Sequence, residues 1–253
     1  YDGVQLQAAF APLDRFNVGL NYTFSKLEGN LEGETASFAT SITANPSYPE
    51  YTDFYENNPS GYLGPDMRHR GNLWITYDLE TPVGLLNLSL FERYHSALSY
   101  SAVGSIDVRK GATNGPADGV VNPGYVTPPS SVSYFFGERG AYRVDDITAT
   151  DLGVNFYLPP VGGVRLFLEA DLLNAFDEQG IEDPDFIDKT ILTRRNSNCL
   201  QTGTSTRCVA FNPFNEAPQE GKHWQKGSAF GKPTSQFAYQ NPRTYRFSVG
   251  LRF

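Results

Sequence analysis

The chain has 253 residues, 14 % of them aromatic, with 24 Gly, 17 Pro and 1 Met, and a formal net charge of −8. The acidic balance argues against nucleic acid as a partner, and no run approaches the roughly 18 consecutive apolar residues of a membrane-spanning helix. Turn-forming Gly and Pro beside strand-favouring Tyr and Phe point instead to an all-β protein. The opening YDGVQLQAAF lacks the basic head and unbroken apolar stretch of a signal peptide, and reads like the middle of a longer chain.

Taken in chain order, seven stretches alternate apolar and polar residues at period two, the signature of a strand with two unlike faces. The first sets Val4, Leu6, Ala8 and Phe10 against Gln5 and Gln7. The second sets Phe16, Val18, Leu20, Tyr22 and Phe24 against Arg15, Asn17, Gly19, Asn21 and Thr23. Leu73, Ile75, Tyr77 and Leu79 make the third, opposite Asn72, Trp74, Thr76 and Asp78. Leu86, Leu88 and Leu90 make the fourth, and Leu152, Val154, Phe156 and Leu158 the fifth. In the sixth, Val164, Leu166, Leu168, Ala170 and Leu172 oppose Arg165, Glu169 and Asp171. The seventh is the terminal RTYRFSVGLRF, with Tyr245, Phe247, Val249, Leu251 and Phe253 on one side and Arg246 and Arg252 on the other. Phe91, Phe167 and Leu173 break the pattern on the polar side, and Glu92 breaks it on the apolar side.

The connections alternate in length. Three are tight, at 12–14, 80–83 and 159–163; three are long, at about 28–66, 96–141 and 177–241. Successive connections of an up-and-down sheet lie at opposite ends, so all long loops fall at one end, as in a transmembrane barrel with short periplasmic turns and long external loops. In a soluble sheet the apolar face would be the core; in an outer-membrane barrel it meets lipid. The loop asymmetry, the Tyr and Phe near strand ends and the charged polar side favour the barrel.

NVGLNYTFSKLEGN (17–30), DMRHRGNLWITYDL (66–79), LFLEADLLNAFDE (166–178) and YRFSVGLRF (245–253) then carry a resemblance. In their order and spacing they resemble the C-terminal part of a TonB-dependent outer-membrane receptor, nearest to the Oar-like subgroup with a carboxypeptidase-regulatory-like domain. The resemblance spans residues 1–253. It implies an antiparallel up-and-down transmembrane β-barrel of which this chain is the C-terminal seven-strand portion, out of about 22 strands. It implies residence in the bacterial outer membrane, with membrane lipid as a partner, and energy-coupled uptake of a scarce ligand. Tyr245, Phe247, Val249, Leu251 and Phe253 would be the terminal signature read by the barrel-assembly machinery. Arg165, Glu169, Asp171, Arg246 and Arg252 would face the lumen or plug. The plug, the TonB box and the N-terminal strands are absent from this sequence. Coupling to the TonB complex would run through that missing plug, and the remaining strands would come from another segment or chain. Seven strands alone leave two edges that lipid cannot satisfy, so the chain is expected to be a fragment. Two other readings stand beside this one: a non-transporting capture or adhesion barrel with a surface lipoprotein partner, and a soluble β-sandwich binding module.

No enzymatic activity and no cofactor is expected: there is no G-x-S-x-G, H-E-x-x-H or P-loop, and His69, His95 and His223 are scattered. The loop YPEYTDFYENNPSGY (48–62) sets Tyr48, Tyr51, Phe54, Tyr55 and Tyr62 among polar residues. Amphipathic rings of this kind suit stacking on a ligand or packing on neighbouring loops. Trp224 is a lone candidate of the same type. Cys199 and Cys208, in a polar Thr- and Gly-rich stretch, suggest a disulfide and an oxidising compartment; two free thiols are the alternative. The acidic stretch with Asp177, Glu178, Glu182, Asp183, Asp185 and Asp188 has oxygen ligands suited to Ca²⁺, nearest at Asp183, Asp185 and Asp188. Its spacing is not that of an EF-hand, and a solvated loop is the preferred reading.

Overall fold

The computed structural model describes residues 1–30, 59–107, 132–194, 198–211 and 216–253. Seven strands form one antiparallel sheet in sequence order: β1 (Asp2–Leu13), β2 (Phe16–Lys26), β3 (His69–Thr81), β4 (Gly84–His95), β5 (Ile147–Tyr157), β6 (Arg165–Leu173) and β7 (Thr244–Arg252). Each alternating run of the sequence falls on one of these strands, with Arg15, Leu158, Val164 and Phe253 just beyond the strand ends. The protein is therefore all-β with a large up-and-down sheet, and its described residues contain no α-helix. No helix among them is long and apolar enough to cross a membrane, which says nothing about crossing by strands.

The register keeps like with like. Leu6 lies opposite Tyr22, Leu20 opposite Leu73, Ile75 opposite Leu90, Val154 opposite Leu88, and Leu168 opposite both Phe156 and Val249. One face is thus apolar from β1 to β7. A slip of one residue anywhere would move a whole strand's apolar set to the other side.

The tight connections are shorter than their sequences suggest. β1 runs on through Ala11 and Pro12 with an irregular register to Leu13, leaving Asp14 and Arg15 as the turn. Proline has no amide hydrogen, so a break in pairing there is expected. β3 likewise reaches Thr81, and Pro82–Val83 is the turn to β4. Between β5 and β6, Val161 bridges Val164 around Gly162 and Gly163, whose φ values of 62° and 85° suit a two-residue hairpin turn. The other connections, 27–68, 96–146 and 174–243, all leave the opposite end of the sheet.

The exceptions to alternation have local causes. On the polar face Trp74 lies over Gly19, where a Cβ would come within 2.1 Å of the ring, and Phe167 lies over Gly250, where it would come within 2.3 Å. Each ring fills the space that its cross-strand glycine leaves. Glu92, on the apolar face, accepts a hydrogen bond from Thr150 Oγ1 near the loop end of its strand. Around it the same face turns polar: Tyr22 bonds His69 Nδ1 at 2.6 Å, Tyr94 donates to Asp146 at 3.2 Å and Thr148 donates to Glu178 at 2.5 Å.

Among the described residues no second layer covers the apolar face. Leu20, Leu88, Leu168, Phe247 and Val249 are all exposed, Phe247 to 77 % and Val249 to 72 %. β1 is exposed along its whole length on both faces. β1 and β7 are the two edges of the sheet and do not pair with each other.

The buried core lies in the long loops. These contribute short antiparallel pairs at 28–29 with 61–62, 99–100 with 142–143, 103–106 with 132–135, and 191–193 with 224–226. Ala102, Ile106, Phe136, Ile191 and Trp224 cluster there, with Tyr134, Tyr142, Phe211 and Phe230 packed around them. Phe136 is fully buried, with its ring 6.0 Å from that of Trp224 and 5.8 Å from that of Phe211.

Candidate functional site

The polar face of the sheet is a lattice of cross-strand pairs. Asn72 donates to Asn21 Oδ1 at 2.9 Å, and Asn87 to Asp78 Oδ1 at 2.6 Å. Arg246 grips Asp171 Oδ2 through Nε at 2.9 Å and Nη2 at 2.7 Å. Glu169 lies opposite Ser248, and Arg165 opposite Arg252 at the turn end. All five residues expected on the lumen side therefore share the face away from the apolar one.

At the loop end of this face a recess of about 610 Å³ opens between the sheet and the loops. Its sheet side carries Arg70 and Asn72 of β3 and Arg93 and His95 of β4. Arg70 stands directly opposite His95, and Asn72 directly opposite Arg93. Thr244 at the start of β7 and the loop residues Asn174, Glu182, Gln240 and Asn241 line the other side. Arg93 Nη2 sits 3.1 Å from Asp151 Oδ2, and Asp151 is held in turn by the Asn174 amide at 2.9 Å. The two ring nitrogens of His95 face acceptors, Ser96 O at 3.3 Å and Glu182 Oε1 at 3.4 Å. The amides above are committed to the loop frame: Asn174 Nδ2 donates to Glu178 O and Asn241 O, and Gln240 Nε2 to Thr148 O. A left-handed backbone at Asn174, φ 48°, lets it close this corner after β6.

A second polar centre ties the loops together. Asp66 is completely buried; its Oδ2 meets Arg143 Nη2 at 2.5 Å and Arg68 Nε at 3.0 Å, and its Oδ1 accepts from the Leu27 amide at 2.7 Å. Burial alone would push this carboxyl up, but the bonds from Arg143, Leu27 and Arg68 outweigh it and hold the group below the ordinary aspartate value. Arg143 also donates to Ala97 O at 2.7 Å.

Tyr62 belongs to this centre. Arg68 lies 4.0 Å and Arg143 5.3 Å from its ring centroid, so its faces are taken up by guanidinium groups. Trp224 is 3 % exposed and packs inside the loop core, which corrects its expected place among surface contact aromatics. Tyr48, Tyr51, Phe54 and Tyr55 lie outside the described residues. Cys199 and Cys208 form a disulfide with Cα atoms 5.3 Å apart, clipping a hairpin whose tip is exposed. The acidic stretch does not gather. Asp183 Oδ1 caps the Asp185 amide, Asp188 Oδ1 accepts from the Thr190 amide, and Asp185 lies 3.9 Å from Lys189 Nζ. Among the described residues no three acidic, His or Cys side chains are grouped to hold a metal ion, and Asp183, Asp185 and Asp188 do not form such a group. Tyr245, Phe247, Leu251 and Phe253 project, exposed, from β7 and its end.

Sequence reasoning missed the recess and the Asp66 centre. The signal was the run DMRHRG at 66–71, which carries Asp66, Arg68 and Arg70 at alternate positions. Its meaning depends on Arg143 and His95, which only the fold brings close. No known family model, curated protein or solved structure matches the chain.

Proposed function

We propose that this chain is the C-terminal seven-strand part of an outer-membrane β-barrel receptor of the TonB-dependent kind, serving ligand uptake across the bacterial outer membrane. The observation that carries the reading is the uncovered apolar face, continuous over seven strands, opposite a charged and amide-rich face. In water a face of this size is a liability; in a bilayer it is the surface that holds a barrel in place. Strand lengths of 9 to 13 residues suit a tilted crossing. Tyr22, Phe24 and Tyr94 at the loop ends of β2 and β4, and Phe16 at the turn end of β2, fit an interfacial aromatic girdle. The two free edges call for further strands, because unpaired backbone groups in hydrocarbon cost several kcal/mol each. Uptake, the plug and TonB coupling enter through the family resemblance. Among the described residues the soluble sandwich reading finds no second sheet to pack on the apolar face.

Flotation tests the reading. Chain refolded from urea with preformed phosphatidylcholine vesicles is expected to rise with lipid in a density gradient. A protein that remains in the aqueous fraction, monodisperse without detergent, overturns it.

A further inference from the structure

The recess at the loop end of the polar face holds two guanidinium groups, of which, among the described residues, only that of Arg93 is ion-paired. Arg70, Arg93 and His95 project into it from adjacent strands. Asp151 pairs with Arg93, and Glu182 Oε1 lies 3.4 Å from His95 Nε2. Among the described residues no carboxylate lies within ion-pair distance of Arg70. Asn72, between the two arginines, spends one amide hydrogen on Asn21 and keeps the other donor position. The amides of Asn174 and Gln240 are locked to backbone carbonyls, so the wall opposite is preformed. A preformed concave space with a few convergent polar groups is the usual form of a small-molecule site. Guanidinium groups present a planar fork of donors that matches a carboxylate or a phosphate.

We infer that this recess binds a small solute through an anionic group, a carboxylate or a phosphate, held between Arg70 and Arg93 with Asn72 as an additional donor. The solute enters from the loop side, and Glu182 with His95 forms the rim. Its direction of travel rests on the receptor reading above; its charge preference rests only on the recess. The volume of about 610 Å³ suits a solute of metabolite size and not a folded macromolecule.

Calorimetric titration of the full chain in detergent tests this, with citrate and inorganic phosphate as separate probes and Arg70→Gln, Asn72→Asp and Arg246→Gln as variants. Saturable binding of either probe is expected, weakened about tenfold or more in Arg70→Gln. Asn72→Asp, which places a carboxylate opposite Arg93, is expected to abolish it while Arg70 remains. Arg246→Gln, on the same face outside the recess, is expected to bind as the unaltered chain does. Citrate alone points to a carboxylate-bearing ligand, and phosphate alone to a phosphate ester. Saturable binding of neither probe, or equal binding by Arg70→Gln and the unaltered chain, overturns the inference. A chain that floats with lipid and binds neither probe loses this site and keeps the receptor reading. A chain that binds citrate while needing no detergent does the reverse.

Discussion

In the loop layer Phe136 is fully buried and Asp66 has no contact with solvent; on the sheet Phe247 is 77 % exposed and Arg246 faces the opposite side in a pair with Asp171. One region is organised as a small soluble domain, with its aromatics inside and its charges bridging segments. The other is a single layer with apolar side chains outward. On the receptor reading proposed above, water surrounds the loops and an apolar medium lies against the sheet. A soluble sheet would need another layer to take the place of that medium.

The contrast is broken most forcefully in the loops. Phe136→Ala leaves a cavity among Tyr134, Phe211 and Trp224 that rigid neighbours cannot fill, and is expected to cost about 3–5 kcal/mol by denaturant titration. Asp66→Ala strands Arg143 and Arg68 without their shared carboxylate. With both arginines partly exposed, a loss of about 3 kcal/mol is expected. The same group sets an acid limit. Its folded value lies below the ordinary 3.8, so its stabilisation is complete above that pH and falls away as pH drops through the folded value. Asp66→Asn is expected to flatten that acid limb in a pH series of melting curves.

On the sheet the expected effects depend on the surroundings. Leu168→Arg, mid-strand in β6 on the apolar face, is expected to cost about 2–4 kcal/mol in lipid, measured by reversible urea unfolding from vesicles. Phe247→Ala is expected to cost about 1.5–3 kcal/mol in lipid, the transfer value alone. It falls below Phe136→Ala because fluid hydrocarbon closes around the smaller side chain. If Phe247→Ala in lipid costs nothing, or as much as Phe136→Ala, the contrast between the two regions fails.

Legibility in the sequence follows the same division. All seven sheet strands could be read because period-two alternation is local, and each pairs with the next strand in the chain. The turn boundaries were less legible: Pro12 and Thr81 still count as strand, since edge and end positions tolerate residues that read as punctuation. Trp74 and Phe167 look like errors of alternation until Gly19 and Gly250 are seen beneath them. The loop core was closed to such reading. Arg143 reaches Asp66 across 77 positions of sequence, and Phe136 meets Trp224 from a different loop. No local spacing encodes those contacts. Trp224 therefore looked like a surface aromatic, and the recess of Arg70 and Arg93 had no signal beyond the run DMRHRG, which does not reach Arg93.

The central claim is that the sheet's apolar side meets hydrocarbon. Spin labels placed singly by cysteine substitution along β4, from Leu86 to Leu90, in protein reconstituted in vesicles, test it directly. Collision with oxygen is expected to peak at Leu86, Leu88 and Leu90, and collision with a water-soluble nickel chelate at Asn87 and Ser89. Chelate access to Leu86, Leu88 and Leu90 equal to that at Asn87 and Ser89 would contradict it.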